Sequence, residues 1–376
     1  MSTHSSHSID DSEKTVVFAN NSTKVIINEQ EKRLVQKLDI RILPLLTLLY
    51  TLSFLDRWYK KSEQNYRISL VFAGATIAGA FNGLLAFSIT NLNGKFGLSV
   101  VTVIVASASF FLITDYAETA TWLTEDERKL AVDRLRSDSG HAHASHFDKH
   151  QIFQAFKDLK IYIFMFLYFC LLVTLYSFSF FIPTIVNGLG FDIVISQLLS
   201  TPPFIFGCIS SVTIAKLSDH YGIRSPYLIS SLLISIIGYT LLIIPSDSIA
   251  LKYSGICIVG LGIFACIPIS LTWLTNNVAG DSKCAVGSAM MIAWGNIGGI
   301  VSAQIYKSSD APTYLTGHAV SLSLLIFAVV LSIIQYFFLN RINKCKLKDP
   351  EKFLKGSNGD DVIHLGDSHP SFIYSL

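Results

Sequence analysis

Apolar positions dominate residues 161–340, in six runs of close to twenty residues separated by short polar stretches, with almost no charge inside a run. A bilayer core about 30 Å thick takes about 20 helical residues at 1.5 Å rise each, and only helices or closed barrels satisfy their backbone groups there. These runs are too long for barrel strands, so the pattern predicts a bundle of transmembrane helices. Across the whole chain nine candidate helices are readable, at about 42–55, 68–89, 98–114, 161–183, 193–215, 227–245, 253–275, 285–306 and 319–339. The polar stretches give the remaining organisation. Residues 1–38 read as a solvated, disordered tail, 39–114 as a short first membrane part, 115–160 as a charged connection, 161–340 as a six-helix half and 341–376 as a second tail.

Lys and Arg near helix ends stay on the cytosolic side. Lys216 and Arg224, then Lys283, then Arg341, Lys344, Lys346 and Lys348 fall in alternate loops, on the same side as the basic 115–160 segment. Six crossings between two cytosolic segments are therefore self-consistent. The 42–55 run is not: it is short, and basic residues flank both ends, with Lys32, Arg33, Lys37 and Arg41 before it and Arg57, Lys60, Lys61 and Arg67 after it. Something that belongs between Arg57 and residue 68 is missing.

Composition supports a lipid-embedded chain, with 51% hydrophobic and 15% charged residues and a mean hydropathy of +0.48, against roughly 25% charged in soluble domains. A net charge of +2 leaves no basic face for nucleic acid. Six isolated cysteines form no CxxC pair, so neither a disulfide framework nor a zinc site is expected. His141, His143, His146 and His150 cluster in the central connection, where a solvated linker explains them better than a metal site. With no HExxH, Walker loop or nucleophile motif, the chain is not read as an enzyme and no cofactor is implied. Asp56 and Arg57 adjoin the margin of the first run. Charges at that depth serve as ion or proton relays, or snorkel to close a helix. Asn296, inside an apolar run, either binds a polar solute or bonds two helices together. Gly79 with Gly83, and Gly295 with Gly299, have the small-xxx-small spacing that lets helix backbones approach.

Several strings carry a family resemblance. LDIRILPLLTLLYTLSFLDR (38–57) and WYKKSEQNYRISLVFAGATIAGAFNGLLAFSI (58–89) are similar to a first-helix signature and to a fourth loop with fifth helix. WLTNNVAGDSKCAVGSAMMIAWGNIGG (273–299) and APTYLTGHA (311–319) resemble the tenth and eleventh helices and the loop that follows. Together they resemble the major facilitator superfamily, and within it the fungal anion:cation symporter family that includes allantoate and vitamin permeases. The resemblance implies an all-α, polytopic membrane bundle of eight or nine helices, with a complete carboxy-terminal half and an amino-terminal half lacking the counterpart of helices two to four.

The same resemblance implies proton-coupled uptake of a small organic anion such as allantoate, nicotinate or pantothenate by alternating access. It implies a monomer in the plasma membrane with its carboxy-terminal tail cytosolic. Because the tenth and eleventh helices of that family border the central cavity, Trp273, Asn276, Asn277, Trp294 and Asn296 are cavity candidates and Asp56 with Arg57 coupling candidates. AKLSDHYGIRSP (215–226) resembles the superfamily's Gly-Asp-Arg loop, which assigns Lys216, Asp219 and Arg224 to a conformational latch, with His220 where Arg is usual. The family's fourth helix supplies an Arg and a Glu, and it is among those missing. The alternatives are a transport-dead membrane protein or an incomplete gene model, and, less well supported, a receptor.

Overall fold

The computed structural model describes residues 64–74, 76–77, 125, 149–350, 366–367 and 369–376. The 42–55 and 98–114 runs, Asp56, Arg57, Gly79, Gly83 and three of the clustered histidines lie outside the described residues, as does the side chain of His150. Every regular element among the described residues is helical, and six helices are long and apolar enough to cross a membrane.

Several boundaries have a local cause. Helix α1 covers Lys149–Lys157, and Asp158 then caps α2 (Leu159–Gly188) by accepting the Lys160 amide at 3.0 Å. The predicted 193–215 run divides at Ser200 into α3 (Ile193–Leu199) and α4 (Thr201–Tyr221), because Pro202 and Pro203 fit the first helical turn but cannot continue the one before. Gly222, at φ 67°, ends α4 in the left-handed conformation that glycine adopts without strain. Helix α5 is Ser225–Ile243, α6 is Ile249–Asn276 and α7 is Asp281–Ile305. Helix α8, Leu315–Lys348, runs nine residues past the end of its apolar stretch, and its last turns set Asn343 and Lys346 against Tyr374 and Asp367.

Helix α6 is the hub, with 83% of its most apolar window buried against 28% for α7 and for α8. It packs on α5, α4 and α2. Helix α2 also packs on α7 and α8, and α8 on α5. Small residues set these approaches. A Cβ at Gly238 would lie 2.6 Å from the Val259 backbone nitrogen, and one at Gly260 equally close to the Pro203 carbonyl. Between α2 and α7 the tight glycines are Gly295 and Gly298, against Tyr168 and Val173, while Gly299 meets only the Tyr176 ring edge at 3.3 Å. The close pair is therefore spaced by three residues rather than by the expected four. Ile237 and Phe337 are exposed apolar side chains, as expected of helix faces that meet lipid.

Candidate solute path and basic end

The five cavity candidates fall into two places. Asn296 lies midway along α7 and accepts a hydrogen bond at 3.0 Å from Tyr176, midway along α2. Its amide nitrogen is turned back to the Ile292 carbonyl at 2.8 Å. Trp294 is 36% exposed and meets Phe166 edge-on at 5.9 Å and Phe169 at 6.2 Å. Tyr176 stacks on Phe180 at 5.8 Å with 12° between the rings. An interhelical polar pair and a partly open aromatic face thus sit together midway along α2 and α7.

Trp273, Asn276 and Asn277 are instead at the far end of α6. Trp273 is fully buried, set edge-on to Phe164 at 5.1 Å. Its indole N–H donates to the Ser375 carbonyl at 3.0 Å. The Asn277 amide donates to the Trp273 carbonyl (2.7 Å) and to the same Ser375 carbonyl (3.0 Å). The Oδ1 atoms of Asn276 and Asn277 are buried without a partner among the described residues. Orphaned acceptors of this kind are costly, and they mark a place where a water or a solute donor is expected.

Helical residues 64–74 meet this end, bringing in side chains that the sequence reading did not single out. Thr272 donates to Asn65 Oδ1 (3.2 Å), Thr275 to Gln64 Oε1 (3.1 Å), and Asn65 Nδ2 to the Ala215 carbonyl (3.3 Å). The available signal was the Gln-Asn pair at the head of an apolar run, where amides seldom lie unless they are bonded.

Asp219 and Arg224 do come together, through Arg224 Nη1 and Asp219 Oδ1 at 2.5 Å. Asp219 Oδ2 also accepts the Tyr66 backbone N–H at 2.7 Å. Burial pulls the Arg224 guanidinium below its ordinary value, and the Asp219 charge pulls it partly back. Among the described residues, Lys216 forms no ion pair with either of them. At the opposite end, buried His318 bonds the Tyr306 hydroxyl through Nδ1 at 3.0 Å.

Beside Trp273, the same end gathers Lys160 from α2, Lys283 from α7 and Lys346 from α8 around Asp367. Burial pushes the Asp367 carboxyl up, but the Lys160 and Lys283 ammoniums outweigh it and hold the group below its ordinary range.

A family model described as Major Facilitator Superfamily matches residues 49–303. The chain belongs to the major facilitator superfamily. An uncharacterized transporter of Schizosaccharomyces pombe is 34% identical over 332 residues, spanning 86% of this chain and 66% of the relative. A transporter named prlL from a fungal species is 30% identical over 311 residues, spanning 78% and 62%. A high-affinity nicotinic acid transporter of Saccharomyces cerevisiae is 25% identical over 332 residues, spanning 85% and 62%. This facilitator thus covers about two thirds of the length of the curated relatives it matches, and with six apolar helices it is a multi-pass membrane protein.

Proposed function

We propose that this facilitator belongs to the anion:cation symporter type and moves a small organic anion across a membrane, driven by protons. The observation that carries the reading is the Tyr176–Asn296 pair, set at mid-depth between two helices beside a partly open aromatic face of Trp294, Phe180 and Phe166. Such a face binds a small planar or apolar body, and the paired hydroxyl and amide orient its polar edge. The resemblance to a nicotinic acid transporter supports a carboxylate as the cargo.

Asp56 and Arg57 are assigned to coupling, because the described mid-helix positions of the six long helices offer no acid or base for it. Trp273, Asn276 and Asn277 line the cytosolic exit of the path, and Asp219 with Arg224 latches that exit to residues 64–66 in one conformation. Lys216 belongs to the same loop. The 341–376 segment lies in the cytosol, the host membrane is the plasma membrane and the working unit is one chain.

Purified full-length protein in liposomes, offered labelled nicotinate, pantothenate or allantoate with and without an inward proton gradient, tests this. Accumulation that needs the gradient and falls at least tenfold in Asn296→Ala is expected. Absence of accumulation for every carboxylate sinks the transport reading.

A second reading is favoured by length. The 332 aligned residues fill 86% of this chain but 66% of its relative. If helices two to four are truly absent, the protein persists in the membrane without transporting. Genomic sequence across the Arg57 and Trp58 codons decides: an open stretch coding for three further apolar runs restores the first reading, and its absence favours the second.

A further inference from the structure

Residues 366–367 and 369–376 lie across the basic end of the bundle and are bonded to five of its helices or their margins. Asp367 is 1% exposed, and each of its carboxylate oxygens pairs with a lysine from a different helix, Lys160 at the start of α2 and Lys283 at the start of α7, the latter at 2.6 Å. Lys346, near the end of α8, donates to the carbonyls of Asp367 (2.6 Å), His369 (3.2 Å) and Phe372 (2.8 Å). The Tyr374 ring is approached by two ammoniums, those of Lys160 and Lys346, each 4.2 Å from its centroid. Asn343 and Tyr374 exchange two hydrogen bonds of 2.9 Å, one from the Asn343 amide to the Tyr374 carbonyl and one from the Tyr374 N–H back to Asn343 Oδ1.

The segment then continues onto the solute-path residues. Ser375 occupies the donors of Trp273 and Asn277, and a Leu376 backbone oxygen accepts the Arg224 N–H at 2.6 Å. Arg224 holds Asp219, and Asp219 holds the N–H of Tyr66. One bonded chain therefore runs from the three lysines, through residues 366–376, to the place where residues 64–66 meet α4 and α6.

Charge makes the segment necessary. Lys160, Lys283 and Lys346 are all nearly buried, and among the described residues the carboxylates that meet them are Asp367 and Asp158, the latter 2.7 Å from Lys283. Removing Asp367 leaves three buried ammoniums against one carboxylate, which a low-dielectric site tolerates poorly.

We propose that residues 366–376 form a releasable strap, keyed by Asp367 in the socket of Lys160, Lys283 and Lys346, that braces Arg224 and Asp219 against residues 64–66 and holds this end of the molecule shut. With the strap seated, the donors of Trp273 and Asn277 are taken and the path ends at Ser375. When it lifts, those donors and the Arg224 N–H are freed together. Only the meaning of closure rests on the transport reading; the strap itself is read from backbone exchange, so the two fail separately.

Hydrogen–deuterium exchange on the full chain in detergent supplies the test, comparing wild type with Asp367→Asn, Asp367→Glu and Asn343→Ala. In Asp367→Asn, peptides covering 366–376, 222–228 and 64–72 exchange at least tenfold faster while the middle of α6 stays protected, and Asp367→Glu recovers most of the protection. Asn343→Ala, which removes two strap bonds and leaves no charge unpaired, loosens the same three peptides and decides the matter if Asp367→Asn unfolds the bundle. A strap already unprotected in wild type, or one that loosens while 222–228 and 64–72 keep their wild-type rates, overturns the proposal.

Discussion

Arg224 gathers most of the consequences that a single side chain can carry here. Its guanidinium is 1% exposed, its partner Asp219 is 12% exposed, and the carboxylate bonds both that guanidinium and the Tyr66 N–H. Breaking one partner of such a pair leaves the other charge uncompensated, so Arg224→Ala is expected to cost about 3 kcal/mol in a reversible unfolding titration in mixed micelles. His318 is a milder case: replacing it by Leu removes one partner of the buried Tyr306 hydroxyl, with the Ser321 and Tyr239 hydroxyls close enough to compensate in part, and about 1 kcal/mol is expected from the same titration. The pH dependence of the strap follows from Asp367. Burial pushes its folded value up, but the attraction of Lys160 and Lys283 exceeds that effect and depresses it, with Lys346, Asp158 and the Tyr374 hydroxyl as the other charged and titratable groups around it among the described residues. A depressed carboxyl contributes stability that is present above the unfolded value, about 3.9, and is lost as pH falls through the lower folded value. Protection of 366–376 is therefore expected to be flat from about pH 7 to about pH 5 and to fail only in stronger acid. Release within that interval would show that Asp367 is not the key.

At the scale of helices, glycine marks where two backbones meet. Gly238 of α5 faces Val259 and Gly255 of α6, so Gly238→Leu must push the helices apart and is expected to lower stability by about 1–3 kcal/mol. Gly74→Ala, with nothing within 4 Å of its Cβ position, is the control for an uncrowded helical glycine and should not lower the melting temperature. These helices were largely legible in the amino-acid pattern, since apolar length is a property of each run by itself: each of the six runs after residue 160 became a membrane-length segment. Register against neighbours was not legible. The small-xxx-small rule selected Gly295 and Gly299, yet the surface of α2 meets Gly295 and Gly298, because which side of α7 faces α2 depends on side chains from another helix. The break at Ser200 was hidden for the opposite reason. Pro202 and Pro203 lie inside one unbroken apolar run, and hydropathy does not register a lost backbone donor. The closeness of Asp219 and Arg224 was legible in a short local motif. The Trp273 and Asn277 environment was not, because its partner is Ser375, about a hundred residues away in a segment whose polarity reads as a tail.

At the scale of the whole molecule, the ends of the helices fix a sidedness that labelling can read. The ends that carry Lys160, Lys216, Arg224, Lys283, Arg341, Lys344 and Lys346 all lie at the starts of α2, α5 and α7 and the ends of α4 and α8, and six crossings bring them to one side. Basic residues are retained on the cytosolic side during insertion, so that side is expected to face the cytosol. Cys345 is an exposed free thiol there, whereas Cys170 and Cys266 are buried in the bundle. The other end is represented by Asp247, an exposed residue in the turn between α5 and α6. A membrane-impermeant maleimide should therefore leave Cys345 unmodified in intact cells and modify it after permeabilisation. An Asp247→Cys variant should gain a modification in intact cells. Modification of Cys345 from outside, with the thiol introduced in the α5–α6 turn protected, would invert the orientation and move the strap and the Trp273 end of the path to the outer surface. The bonds of the strap would survive that inversion, since they depend on where the lysines converge rather than on which solution they face. The assignment of Trp273, Asn276 and Asn277 to a cytosolic exit would not.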